Sequence, residues 1–259
     1  MHTRFLLPLL LLFPLIIAGC DSGEDSEAGT RFGPTAAIGD GTARTFVRTN
    51  EEGEPEAFGV VLTADGLNGL PDHGNHEENM TVLRLPEGVD LAPFDHVSFD
   101  WNPHGHEPEG LFTLPHFDVH FYMATEAERM TWMPTDPMWE EKLANVPAAK
   151  YVPAGFVQIP GGVPMMGSHW LDTTDPTYAP GGTFSEVFLW GSYDGRITFA
   201  EPMITKALLD ARTTVDEALA QPQAWARTGY YPTRYVVRYD AEREEYVIAL
   251  EGLVRRTAS

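Results

Sequence analysis

The sequence is poor in cysteine and lysine: one Cys among 259 residues, and three Lys, at 142, 150 and 206, against fourteen Arg. A single cysteine cannot form an internal disulfide, a Cys-rich zinc site or an iron–sulfur cluster. Basic residues are scarce overall, 17 against 38 acidic, for a formal net charge of −21. That balance excludes a nucleic-acid partner, because phosphate binding needs clustered Lys and Arg. No P-loop, dinucleotide fingerprint or G-x-S-x-G elbow is present, and no repeat of propeller or solenoid period is visible. Disorder does not fit either, since the chain is 43% hydrophobic and 11% aromatic.

The lone cysteine, Cys20, stands at an informative place. Met1–Arg4 carries one positive charge and Phe5–Ala18 is apolar apart from Pro8 and Pro14. This run is shorter than the roughly 20 residues needed to span a bilayer and suits the h-region of an export signal. It ends Ile17-Ala18-Gly19-Cys20, which resembles the lipobox of bacterial lipoproteins. Residues 1–19 are therefore expected to be removed and Cys20 lipidated. The diacylglyceryl chains then give stable membrane anchoring. Loss of Arg4 leaves 16 basic and 38 acidic residues, a formal −22. Asp21-Ser-Gly-Glu-Asp-Ser-Glu-Ala-Gly29 reads as an acidic flexible tether that anionic headgroups repel. The expected location is the cell envelope, on the periplasmic or surface side of a membrane. Residues 20–38 are expected to be tether and residues 39–259 a single domain, with an alternative boundary near residue 200 that would detach a small α+β unit.

The mature chain is expected to be mainly β, a sandwich or barrel with three or four short helices. Runs at 42–49, 57–63, 81–85, 96–101 and 116–123 have strand composition and are bounded by Gly, Pro, Asn or Asp. Runs at 184–189 and 196–199 flank Asp194-Gly195, the preferred pair for a type I′ hairpin. Runs at 234–239 and 245–250 form another hairpin. Thr125-Glu-Ala-Glu128 is a capping box, Asp136-Pro137 opens a segment that Pro147 closes, and Thr214-Val-Asp-Glu217 predicts a helix that Pro222 ends. A further helical piece is expected within 203–212.

Seven of the eight histidines after the signal lie between His73 and His120; the eighth is His169. Read as a strand, 116–123 sorts its side chains by a period of two. Phe117, Val119, Phe121 and Met123 share one face; His116, Asp118, His120 and Tyr122 share the other. Imidazole and carboxylate together are ligands for Zn²⁺, Fe²⁺ and Mn²⁺. The bland alternative is a solvated face, where Lys, Glu, Thr or Ser would be more usual. His116 and His120 are about 13 Å apart along a strand, too far to share one ion, whereas neighbours two apart can chelate. The expected site combines His106, His120 and His169, with Asp118, His116 or Glu107 as further ligand or orienting acceptor. His106 comes from the Gly/Pro-rich loop at 102–110 and His169 from an expected loop at 167–172. Zn²⁺ is the default ion, with Fe, Mn or Cu also suited. Glu107 and Asp118 are the candidate acid/base groups if the site acts on a small substrate. His73 and His76 read as a polar loop, and His96 as structural. His104-Gly-His106 followed by acidic residues resembles the cupin motif only loosely, since the acids follow too closely.

Three segments carry a wider resemblance: Asn102-Pro-His-Gly-His-Glu-Pro-Glu-Gly110 continuing to Pro115-His-Phe-Asp-Val-His-Phe-Tyr-Met123; Met166-Gly-Ser-His-Trp-Leu-Asp172; and Trp190-Gly-Ser-Tyr-Asp-Gly-Arg-Ile-Thr-Phe-Ala-Glu-Pro-Met-Ile-Thr205. Over about residues 90–206 the chain resembles an uncharacterised family of bacterial secreted proteins and lipoproteins. That family includes a Thermus protein under the control of an extracytoplasmic-stress sigma factor. The resemblance implies an exported β-rich protein, a ring-like homo-oligomer and no assigned activity. His106, Glu107, His116, Asp118, His120, His169 and Asp172 fall within the matched motifs; His104 is not carried over. Three functions compete: a metal-dependent enzyme, a non-catalytic metal-binding module of the envelope, and a structural protein whose His/Asp face is a metal-free hydrogen-bond network.

Overall fold

The computed structural model describes residues 29–74 and 78–259. The segment expected to be an export signal, Cys20 and His76 lie outside the described residues. In chain order the strands are β1 Thr30–Phe32, β2 Ala36–Ile38, β3 Gly41–Thr49, β4 Pro55–Thr63, β5 Met80–Arg84, β6 His96–Asn102, β7 His116–Tyr122, β8 Phe156–Gln158, β9 Ser168–Asp172, β10 Glu186–Tyr193, β11 Arg196–Thr205, β12 Val215–Ala218, β13 Gly229–Tyr231, β14 Arg234–Asp240, β15 Glu245–Glu251 and β16 Val254–Arg256. Three short α-helices accompany them: α1 Glu126–Arg129, α2 Trp139–Ala144 and α3 Lys206–Asp210. Among the described residues no helix is long and apolar enough to cross a membrane.

Two antiparallel sheets pack as a sandwich, not a closed barrel. The first has the order β1-β3-β4-β15-β14-β12 with β2 also on β3; the second runs β5-β6-β7-β11-β10-β9-β8. Alternation along each strand sends one set of side chains into the shared core. Phe58, Val60 and Leu62 of β4 and Ile248 and Leu250 of β15 meet Val97, Phe99, Phe117, Val119 and Phe121 of the second sheet. Phe58 meets Phe121 edge-on at 5.1 Å between ring centres, and Phe188 meets Tyr235 at 5.2 Å. These rings join the sheets and hold β6 and β7 rigidly from below.

Several local expectations hold for physical reasons. Asp194 and Gly195 both have positive φ (47° and 76°), as a type I′ turn between β10 and β11 requires. The Thr125 hydroxyl accepts from the Glu128 N–H at 3.1 Å and so caps α1. Other expectations are corrected. Thr214–Glu217 does not begin a helix: Val215–Ala218 is an edge strand whose Val215 pairs with Val237. Burial of Val215 beside β14 outweighs the capping-box pattern, which no amphipathic repeat follows. The first sheet begins at Thr30, which pairs with Arg48, inside the stretch expected to be tether. β15 pairs with β4, so β12, β14 and β15, all after residue 200, are part of the first sheet, while β13 and β16 form a small two-stranded sheet of their own. His169 sits on strand β9, not in a loop.

The polar face of β6 and β7 is also buried, and this decides the character of the site. Every residue of both strands is buried on both faces. The apolar side faces the other sheet. The opposite side lies under the β6–β7 connection and the long β7–β9 segment, whose Trp132, Trp139 and Leu143 pack on Tyr193 of β10.

Candidate metal centre

Strand register builds the floor of the site. β6 lies beside β7, with Ser98 opposite His120, Asp100 opposite Asp118 and Asn102 opposite His116. β11 flanks β7 on its other side, with Asp118 opposite Met203. Glu201, two residues before Met203, therefore projects from the same face beside His120. Farther out, Gly191 of β10 stands between His169 of β9 and Phe199 of β11. A Cβ on Gly191 would lie 2.0 Å from the Phe199 ring, so the missing side chain is what lets that ring lie there.

The expected ligands form two groups instead of one. His106, His116 and Asp118 make one triad, and His120, His169 and Glu201 make the other; within each, one donor atom from every residue lies within 4.8 Å of the others. His106 Nε2 is 3.1 Å from Asp118 Oδ2, and His116 Nε2 is 3.0 Å from Asp118 Oδ1. His120 Nε2 is 3.2 Å from Glu201 Oε1, and His169 Nε2 is 3.4 Å from Glu201 Oε2. Two donors bonded at about 2.1 Å to one tetrahedral ion stand about 3.4 Å apart. All four separations are close to that value.

The outward ring nitrogens are held as they are in metal-bound histidines. His106 Nδ1 is 2.6 Å from the Glu107 carbonyl oxygen and His116 Nδ1 is 2.6 Å from that of Leu114. A carbonyl only accepts, so both Nδ1 atoms donate and leave Nε2 toward Asp118. His120 Nδ1 faces Asp100 Oδ2 at 3.1 Å, while the Ser98 hydroxyl donates to Asp100 Oδ1 at 2.6 Å. Asn102 donates to Asp118 Oδ2 at 2.8 Å. An acceptor behind the rings of His106, His116 and His120 is the expected support of a metal-bound imidazole.

Burial makes the charge expensive to leave uncompensated. Asp100, Asp118 and Glu201 are the buried carboxylates and Arg129 is the buried guanidinium among the described residues. With neutral imidazoles and all three carboxylates ionised, the state a metal ion would require, three negative charges meet one positive charge, a deficit of two that protons or a cation must make up. Buried ions need partners, because desolvation costs several kcal/mol per ion. Asp100 Oδ2, His116 Nε2, Asp118 Oδ1, both ring nitrogens of His120 and Glu201 Oε2 have no partner outside these His–carboxylate pairs. A divalent cation in either group would offset the charge and bond the ring nitrogen and carboxylate that face each other there.

Proton affinities show the same demand for positive charge. Burial works to lower His106, yet the hydrogen bond and charge of Asp118 win and hold it at about 9. Burial likewise opposes the protonated form of His120, and Glu201 and Asp100 override it and raise it. Burial pushes Glu201 up to about 8, helped by the charges of Asp118 and Asp100 and opposed by His120. For Asp118 burial works upward, but His116 and His106 hold it well below the usual carboxylate range. Protons and metal ions compete for one set of atoms here.

A cleft of about 670 Å³ opens onto both triads. Its floor includes His106, Asp118, His169 and Glu201, and its walls include Phe112, Ile159, Val163 and Met166. An apolar cleft with a few converging polar groups is the usual form of a small-molecule site. Glu107 lines the cleft and is exposed, whereas His104 is exposed and not part of it. His73 pairs with Asp72 on the surface at 3.0 Å. His96 is structural: it accepts from Arg129 Nε at 3.0 Å and stacks on Tyr122 at 4.9 Å. Tyr122 lies buried beside His120 with its ring stacked at 5.5 Å. Asp172 caps its own turn by accepting from Thr174 and is not among the triads.

Glu201, Asp100 and Arg129 have no place in the sequence-based site. Asp100 carried a readable signal: His96, Ser98, Asp100 and Asn102 alternate with Val97, Phe99 and Trp101, as the residues of β7 do. Glu201 is a lone charge in the run Phe199-Ala-Glu-Pro-Met-Ile204.

A family model described as TTHB210-like, for the hypothetical Thermus protein TTHB210, matches residues 50–101. This stretch holds β4 through most of β6, with Ser98 and Asp100, and ends before the first triad residue. No curated protein and no solved structure matches the chain.

Proposed function

We propose that this protein binds a divalent metal ion in the β6–β7–β11 cleft and uses it on a small molecule admitted there. The observation that carries the reading is the gathering, in the floor of one cleft, of two imidazoles and a buried carboxylate at each of two places, with donor atoms spaced for metal bonds. The donor set is imidazole and carboxylate with no sulfur, which suits Zn²⁺ first and Fe, Mn or Cu after it. When bound, such an ion acts as a Lewis acid on a substrate oxygen. The chain's own residues supply the rest. Asp100 and the Leu114 and Glu107 carbonyls orient the rings, the apolar walls exclude water, and Glu107 stands at the rim as a candidate proton acceptor. In this reading lipidated Cys20 holds the domain at a membrane surface outside the cytoplasm. The lipobox alone supports that part.

Elemental analysis of the full-length chain, purified without added metal, tests the reading. At least a stoichiometric divalent ion is expected in the wild type, with less bound metal in His120→Ala and His169→Ala. Trace metal in all three would leave the alternative, a proton-held His/carboxylate network. For the anchor, Cys20→Ser is expected to move the protein from the membrane fraction to the soluble one; an unchanged membrane fraction would contradict it.

A further inference from the structure

Resting on that reading, we propose that the cleft is a two-ion centre, one divalent ion per triad, and that the second ion enters together with an anionic oxygen ligand. Each triad is complete in itself: two imidazoles and one carboxylate, with donors within 4.8 Å of one another. Neither borrows a donor from the other, because Asp118 engages His106 and His116 while Glu201 engages His120 and His169. The ring supports are separate too: the Glu107 and Leu114 carbonyls behind the first triad and Asp100 behind the second. Three protein donors per ion leave at least one coordination position, the pattern of open rather than closed sites. Both triads face a shared cleft, since His106 and Asp118 of one and His169 and Glu201 of the other line it.

Charge then selects the ligand. One divalent ion neutralises the buried deficit set by Asp100, Asp118, Glu201 and Arg129. A second leaves an excess of two positive charges, which Glu107 at the exposed rim offsets only in part, in a site walled by Phe112, Ile159, Val163 and Met166. Such an excess is as costly as the original deficit unless an anion accompanies the ion. The ligand class is therefore a carboxylate or a phosphoryl group, small enough for a cleft of about 670 Å³. Its oxygens occupy the open positions, and its apolar part rests on the walls.

The test is a Co²⁺ titration of the full-length chain, followed by absorption and by bound-metal analysis, with and without acetate and with and without inorganic phosphate. The variants are His106→Gln and His169→Gln. These are the more exposed histidines of each triad, with side-chain exposures of 33% and 15%, so folding should survive their loss. Two ions per chain are expected in the wild type and one in each variant. Acetate or phosphate should tighten the second step at least several-fold and leave the first unchanged; the more effective anion identifies the ligand class. One ion in the wild type, abolished by either variant, would overturn the two-ion centre and leave single-ion binding intact. Two ions with no response to either anion would overturn the anionic ligand. No bound ion at all would remove the underlying metal reading as well.

Discussion

His116 Nε2 and Asp118 Oδ1 lie 3.0 Å apart in the buried floor of the cleft, and neither atom has another partner. The other nitrogen of that ring points at the Leu114 carbonyl at 2.6 Å, which leaves a lone pair toward the carboxylate. Two acceptors held face to face repel unless a proton or a cation stands between them. The same relation recurs between His120 Nε2 and Glu201 Oε1 at 3.2 Å. With neutral rings and ionised carboxylates the fold thus sets acceptor against acceptor at two neighbouring places, and either a proton or a coordinated ion must stand between them.

Asp100 is predicted to matter as a positioning residue for His120. Its Oδ2 lies 3.1 Å from His120 Nδ1, and Ser98 fixes its other oxygen. Asp100→Asn should weaken metal affinity about 10–100-fold, the usual cost of removing such a support. Competition against a chelator of known affinity measures it, and a circular dichroism spectrum like the wild type's separates this from unfolding. Unchanged affinity would mean that Asp100 does not orient the ring.

Gly191 is predicted to be intolerant of the smallest side chain. A Cβ there meets the Phe199 ring at 2.0 Å. That ring in turn packs at 4.9 Å from His120 and 5.2 Å from His169. Gly191→Ala should cost about 1–3 kcal/mol as an overpacked site and should also reduce metal binding by pushing the ring toward both histidines. Urea unfolding gives the first effect and metal titration the second. A variant as stable as the wild type would contradict the packing account.

Away from the cleft, Glu186 gives a pH signature in stability. Burial, with help from the charges of Asp175 and Glu217, lifts its carboxyl from 4.5 to about 7, and the Tyr235 hydroxyl donates to it. A raised folded value means that the folded state holds this proton more tightly. The contribution is fully present below about pH 4.5 and is lost as pH rises through about 7. Glu186→Gln keeps an acceptor for Tyr235 but does not titrate. Its stability relative to the wild type should therefore rise between pH 5 and pH 8.5 by an amount on the order of 1–3 kcal/mol. A difference independent of pH would refute the assignment.

Much of this architecture is legible in the sequence because it rests on local rules. The alternation in 116–123 separates Phe117, Val119 and Phe121 from His116, Asp118 and His120, and the structure places the two sets on opposite faces. Asp194-Gly195 announces its hairpin through backbone preference alone. The partition of ligands into two triads is not legible, because it depends on β11 pairing beside β7 and on β9 reaching past Gly191. Those are long-range pairings that leave no local trace. Glu201 escapes for that reason: its neighbour His120 is 81 positions away in the chain. The alternative of a solvated face falls because the polar side of β7 is buried, and burial is what gives its charges their consequence.

The most direct test of the central claim is X-ray absorption at the metal edge of the zinc-loaded full-length chain. The account predicts a first shell of nitrogen and oxygen only, at about 2.0–2.2 Å, with the outer-shell scattering of imidazole rings and loss of part of that signal in His169→Gln. A shell of water oxygens without imidazole scattering, or one containing sulfur, would contradict it.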